Sequence, residues 1–99
     1  MHTATLTLEL RLRGVSSLKE KRSVVRPVVE GARRRFNVAA AEVSHQDSWQ
    51  RAAVGFACVS GTRSHAVQVI DSVERFVWSF PEVEVLSTIR RVCDSEEEL

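Results

Sequence analysis

Apolar and polar side chains alternate at the start of the chain. In residues 3–13, TATLTLELRLR, every second residue is apolar, and this period of two predicts a β-strand with one face in the core. Gly14 ends the predicted strand. The core-facing positions are Ala4, Leu6, Leu8, Leu10 and Leu12, whereas threonines and charged residues occupy the other face.

The period changes after residue 16 to that of a helix. Ser17 and Glu20 fit the S-x-x-E capping box, in which each side chain is expected to bond the backbone N–H of the other. Apolar residues then recur along one stripe, which predicts an amphipathic helix that ends at Asn37. These residues are Leu18, Val25, Val28, Val29, Ala32 and Phe36. Pro27 predicts a kink, because it cannot donate to the carbonyl of Ser23.

Residues 38–60 are predicted to form two strands, 38–44 and 49–60, around a polar turn at 45–48. The second of these strands is apolar or small on both sides, which is typical of a central position in a sheet. One of its faces consists of Ala52, Val54, Phe56 and Cys58.

A second helix and a last strand complete the pattern. Thr62 or Ser64 caps the helix, and Pro81 terminates it. Its apolar stripe consists of Ala66, Val69, Ile70, Val73, Phe76 and Val77. Residues 83–92 are predicted to form the last strand, with Val83, Val85 and Ile89 on one side and an irregular register near Leu86.

The order of elements is strand, helix, strand, strand, helix, strand. Two right-handed strand–helix–strand halves give a ferredoxin-like α+β sandwich, a four-stranded antiparallel sheet with both helices on one face. Strands one and three are then central. We call the other face of the sheet the open face, and its predicted residues are Thr5, Thr7, Glu9, Arg51, Ala53 and Gly55. Residues 1–93 form one domain, and residues 94–99 are predicted to be a disordered acidic tail.

Composition narrows the class of protein. No apolar stretch approaches the ~20 residues of a membrane span, and the first residues do not resemble a secretory signal, so a cytoplasmic protein is expected. Cys58 and Cys93 lie 35 positions apart, and the three histidines are scattered. This spacing favours burial of the cysteines in strands over metal or redox use, and neither a metal nor another cofactor is predicted.

The charge of the chain is uneven although its net value is only +1. Residues 17–36 contain seven basic and two acidic groups. On a helical wheel, four of the bases share one flank of the apolar stripe: Lys19, Arg22, Arg26 and Arg33. Such a basic ridge can follow the phosphates of a nucleic acid. A solvated helix face is the alternative interpretation, because charge runs usually lie in water.

Three segments carry a resemblance to a known family. TLELRL, SLKEKR and RFNVAAAEVSHQDSWQRAAVGFACVS, in this order, are similar to the bacterial YlxP-like family, a domain of unknown function (503). The resemblance covers residues 2–93. It implies a small protein of ferredoxin-like fold, whose gene often lies beside those of a translation initiation factor and ribosome-binding factor A. It therefore implies a link to ribosome assembly or translation.

The resulting prediction is a non-enzymatic protein that binds ribosomal or structured RNA, with the small ribosomal subunit as a candidate partner. The four basic side chains of the ridge are predicted to contact the phosphates of the RNA, and His45 and Trp49 are predicted to be secondary contacts. His45 and Asp47 do not suggest catalysis, because no nucleophile or phosphate loop accompanies them. The alternatives are a homodimer or interaction module that uses the open face, and a small-ligand sensor argued from fold alone.

Overall fold

The computed structural model describes residues 1–95 and confirms the predicted order of elements. The strands are β1 (His2–Leu12), β2 (Ala39–Ser44), β3 (Arg51–Ser60) and β4 (Val83–Asp94), and the helices are α1 (Leu18–Phe36) and α2 (Arg63–Trp78). The sheet has the order β2-β3-β1-β4, and every neighbouring pair is antiparallel. β1 and β3 are therefore central, as predicted, and the fold is a ferredoxin-like α+β sandwich.

One hydrophobic core lies between the sheet and the two helices. The apolar face of β1 is fully buried in it, and so are Val54 of β3 and Val28 of α1. From α2, Ala66, Ile70, Val73 and Val77 are also fully buried. The alternation in β1 and the stripe of α2 therefore identify their parts of this core, because burial of apolar area favours such patterns. The stripe predicted for α1 is only partly correct, since Leu18 is 38% exposed and Phe36 is half-buried.

The start and end of α1 follow local chemistry. Ser17 accepts a hydrogen bond from the backbone N–H of Glu20, as predicted. The Glu20 carboxylate reaches one residue further back than a capping box requires and accepts from the N–H of Ser16. Asn37 ends the helix in the left-handed region at a φ of 53°. Between these ends α1 runs through Pro27 as one helix.

The two helices meet at a glycine. A Cβ on Gly31 would lie 2.6 Å from the Phe76 ring, so only a residue without a side chain permits this approach. Phe76 also packs edge to face against Phe36, at 5.6 Å between ring centroids. These contacts hold the C-terminal end of α1 against α2.

An irregularity in β4 changes which face one side chain occupies. Glu9 pairs with Ser87 and Leu10 with Val85, so Leu86 is an extra residue in the ladder, as the sequence predicted. The extra residue reverses the alternation of the strand. Ile89, predicted to share a side with Val83 and Val85, instead pairs with Thr7 and projects from the open face with 54% of its surface exposed. That part of the prediction was wrong.

The described chain ends with a clasp between three elements. Asp94, at the end of β4, accepts hydrogen bonds from His2 of β1 and Arg63 of α2, each at 2.5 Å. The backbone N–H of Ser95 donates to the carbonyl of Met1. β4 thus continues to Asp94, the first residue assigned above to an acidic tail. Residues 96–99 lie outside the described part, and their disorder stays a prediction.

We expect Asp94→Asn to lower the free energy of unfolding near pH ~6 and to have little effect once the pH is below the lowered pKa of Asp94. The hydrogen bond from His2, and then the charge of Arg63, lower the pKa of Asp94 in the folded protein. A carboxyl with a lowered folded pKa stabilises the fold above its unfolded value of ~3.9, and this contribution disappears as the pH falls through the folded value. Urea titrations at several pH values measure the effect.

Arg63→Gln is the matched variant for this clasp. It should destabilise the fold over the same pH range, and the double variant should lose less than the sum of the two single losses. A constant effect of Asp94→Asn at all pH values would contradict the assignment.

Candidate nucleic-acid interface

Four exposed bases of α1 line one shallow groove on the outside of the helix. Lys19, Arg22 and Arg26 are three of the four predicted ridge residues, and the fourth base in the groove is Arg34. Ser23, Pro27 and Glu30 complete the lining. None of the four bases forms an ion pair within residues 1–95. The groove therefore has four cationic groups and one carboxylate facing solvent.

Arg33, the remaining ridge residue, is engaged elsewhere. Its guanidinium donates to the Glu30 carboxylate and to the backbone carbonyl of Ala40 in β2, each at 2.6 Å. The side chain is half-exposed, but both contacts hold it along the gap between helix and sheet. The helical wheel gave its angle correctly and could not show that a strand carbonyl lies within its reach.

A second groove separates α1 from the edge strand β2. Its lining includes Val25 and Val29 of the helix and Glu42 of the strand. Arg22 and Arg26 line this groove as well as the outer one. They therefore lie on a crest between the two depressions, and both guanidinium groups are exposed there.

Lys21 lies at the bottom of this second groove and is 2% exposed. Its ammonium is 2.8 Å from a Glu42 carboxylate oxygen and donates to the carbonyl of His45 at 2.5 Å. That oxygen of Glu42 is buried and accepts no well-directed hydrogen bond within the described residues, so the ion pair is what compensates its burial. The sequence analysis assigned Lys21 no role of its own and so missed this contact. The available signal was its angle, which is within ~20° of that of Val28.

His45 and Trp49 lie in the hairpin loop between β2 and β3, away from the outer groove. His45 has a φ of 64°, and its ring bonds the carboxylate of Glu9 on the open face. Its carbonyl accepts from Lys21 and from the N–H of Ser48. Trp49 is half-exposed in the same loop. The backbone carbonyl of His45 thus connects the first turns of α1 to the loop, through Lys21. Its side chain contacts Glu9 of β1 instead.

The described residues offer little for metal or thiol chemistry. Within residues 1–95 no three His, Cys, Asp or Glu side chains are grouped so that they could hold a metal ion. Burial raises the pKa of the Cys58 thiol, which disfavours the reactive thiolate. Cys93 is exposed on the open face. No helix in the described part is long and apolar enough to cross a membrane.

Comparisons with known proteins place the chain in a family. The sequence model of a family described as "Protein of unknown function (DUF503)" matches residues 3–90. The "Uncharacterized protein YlxP" of Bacillus subtilis (strain 168) is 41% identical over 68 residues, which is 69% of this chain and 74% of that protein. The chain therefore belongs to the DUF503 family, and the resemblance noted in the sequence is confirmed.

A solved structure of low identity shares the fold. A mutant of SnoaB, a cofactor-independent oxygenase from Streptomyces nogalater, superposes with a TM-score of 0.55 at 8% sequence identity. The match covers 98% of this chain and 96% of the oxygenase. At this identity the likeness concerns the arrangement of strands and helices alone.

We expect Lys21→Met to lower the free energy of unfolding by about 2–3 kcal/mol, because it leaves the buried oxygen of Glu42 without its cation. Glu42 keeps partial contact with water, which places the loss at the low end for buried pairs. Guanidinium chloride denaturation followed by circular dichroism measures it.

The control is Lys19→Met, which makes the same change two residues away on the exposed surface and should alter stability by less than ~0.5 kcal/mol. Glu42→Gln combined with Lys21→Met should recover part of the loss. Equal effects of the two single lysine variants would show that Lys21 is not a buried anchor.

Proposed function

We propose that this protein is a non-enzymatic accessory factor that binds structured RNA through the exposed bases of α1. The observation that supports this best is the convergence of Lys19, Arg22, Arg26 and Arg34 on one groove without ion-pair partners within the described residues. Four unpaired cations on one helix face repel one another. An RNA backbone that neutralises them relieves this repulsion and releases the counterions of its phosphates.

In this proposal the basic side chains contact the phosphates of the RNA and not its nucleobases. The strand residues that form the open face include no aromatic side chain in the described part, so the sheet has no platform on which to stack bases. Phosphate contacts fix position and orientation and do not read sequence. The ligand is therefore RNA recognised by its shape, such as a helix or junction.

Ribosomal RNA is the structured RNA that we favour. The neighbourhood of genes implied by the family resemblance links these proteins to ribosome assembly or translation, and a relative occurs in a bacterium. The proposed partner is the small ribosomal subunit or its RNA, and the proposed place of action is the cytoplasm. Arg33 has a supporting part here, because its bonds to Glu30 and Ala40 hold helix and strand together beside the groove.

His45 and Trp49 retain a secondary part in the proposal. The His45 ring is bonded to Glu9, so it reaches an RNA only if that bond breaks. Trp49 is half-exposed and needs no such rearrangement. Of the two, Trp49 is therefore the better candidate for contact with an unstacked base at the margin of the interface.

We expect the protein to bind structured RNA, or to co-sediment with small ribosomal subunits, with an affinity that falls steeply with salt. Four phosphate contacts on a duplex correspond to a slope of log K against log salt of about −3.6. Arg22→Glu combined with Arg26→Glu should reduce binding by at least ~10-fold and make the slope less steep by about 2. Fluorescence anisotropy with a labelled RNA hairpin measures both quantities.

The control is Arg13→Glu combined with Arg75→Glu, which changes net charge equally on exposed residues away from the groove. This control should retain most of the affinity. Binding that is unchanged in the Arg22/Arg26 variant, or reduced equally in both, would reject α1 as the interface.

A further inference from the structure

The open face has a trough of small side chains at its centre. Both helices pack on the opposite face, and the trough is lined by Thr5, Thr7, Ala39, Ala41, Gly55 and Ala57. The register places four of these side by side, since Ala39 pairs with Ala57 and Ala41 with Gly55. A Cβ on Gly55 would lie 3.1 Å from Val43, so the glycine keeps the trough open next to that side chain.

Apolar side chains project beside the trough. Val43, Val59 and Ile89 are 52%, 64% and 54% exposed, and they belong to three different strands of the open face. Ile89 is in register with Thr7, and Thr7 with Gly55, which places it roughly 10 Å from the glycine at the usual strand spacing. The projecting side chains and the trough thus lie on one surface. A two-fold contact uses the same surface on both copies, so this surface must contain both the projections and the depression that receives them.

The charges of the open face are largely paired within the chain. Glu9 is bonded by His45 and lies 3.9 Å from Arg51, and Glu84 lies near Arg11 and Arg13. All of these groups are at the end of the sheet where β1 finishes. Arg91 is in register with Thr5 on the edge strand β4, where its long side chain can keep its charge in water. Covering the trough therefore buries little unpaired charge.

The size of the open face suits a protein interface. Four strands spaced ~4.8 Å apart, each up to about ten residues long, present on the order of 600 Å² in projection. A stable interface takes ~800 Å² of accessible surface from each partner, and a surface with relief has more accessible area than its projection. Burial of nearly the whole open face therefore provides enough area for a stable dimer contact.

We propose that the open face pairs with the open face of a second copy of this chain. The projections at Val43, Val59 and Ile89 of one copy pack into the trough of the other, and the paired charges remain at the rim. This contact uses the side of the sheet opposite the helices, so it is independent of the RNA-binding proposal.

Sedimentation equilibrium of the full chain tests the proposal. The expected mass is about twice 11.1 kDa at micromolar concentration. Ile89→Glu and Val59→Glu each place a charge on the proposed contact and should give a monomer whose far-ultraviolet circular dichroism is unchanged. Both side chains are already exposed in the single chain, so these variants do not disturb its core.

Trp78→Glu is the matched control, because Trp78 is an equally exposed apolar residue on α2, away from the open face. It should remain dimeric. A wild-type protein that is monomeric up to high micromolar concentration would overturn the proposal, whether or not another protein binds the face. A dimer that survives both glutamate variants, or that Trp78→Glu also abolishes, would overturn it equally.

Discussion

The position of α1 depends on a charge that water does not reach. Lys21 lies in the groove between α1 and the edge strand β2, and burial of an ammonium is unfavourable unless a carboxylate and another acceptor contact it. Glu42 of the edge strand and the carbonyl of His45 supply these partners. The Lys21 contact and the buried apolar residues of α1 are compatible with the same rotation of the helix, and this rotation leaves Arg22 and Arg26 exposed. A buried basic residue thus helps to hold the helix that carries the exposed ones.

The sequence predicts the elements and the core because both follow from short-range periodicity. The alternation in β1 and the stripe of α2 correspond to buried faces, and Gly14 and Asn37 end their elements in left-handed conformations. Even the irregularity at Leu86 is visible in the sequence, since alternation fails there. Its effect on Ile89 is not, because that depends on which partner residues of β1 remain in register across the bulge.

The candidate site is less predictable because charge has no period of its own. Lys19, Arg22 and Arg26 are exposed as the wheel suggested, whereas Arg33 and Lys21 are claimed by groups far away along the chain. A helical wheel gives an angle and contains no information on what another strand presents at that angle. Because Arg33 is bound to Glu30 and Ala40, the fourth basic residue that lines the outer groove is Arg34.

The bond from Arg33 to Ala40 also has a consequence for how the chain behaves among its own copies. An edge strand presents backbone groups to which a further strand can add, and this is a common route to aggregation. In β2 the guanidinium occupies one such carbonyl, and the bulge near Val43 interrupts the regular ladder beside it. That side of the sheet is thereby guarded against strand addition and open-ended growth. Association of copies through the edge of β2 is therefore disfavoured.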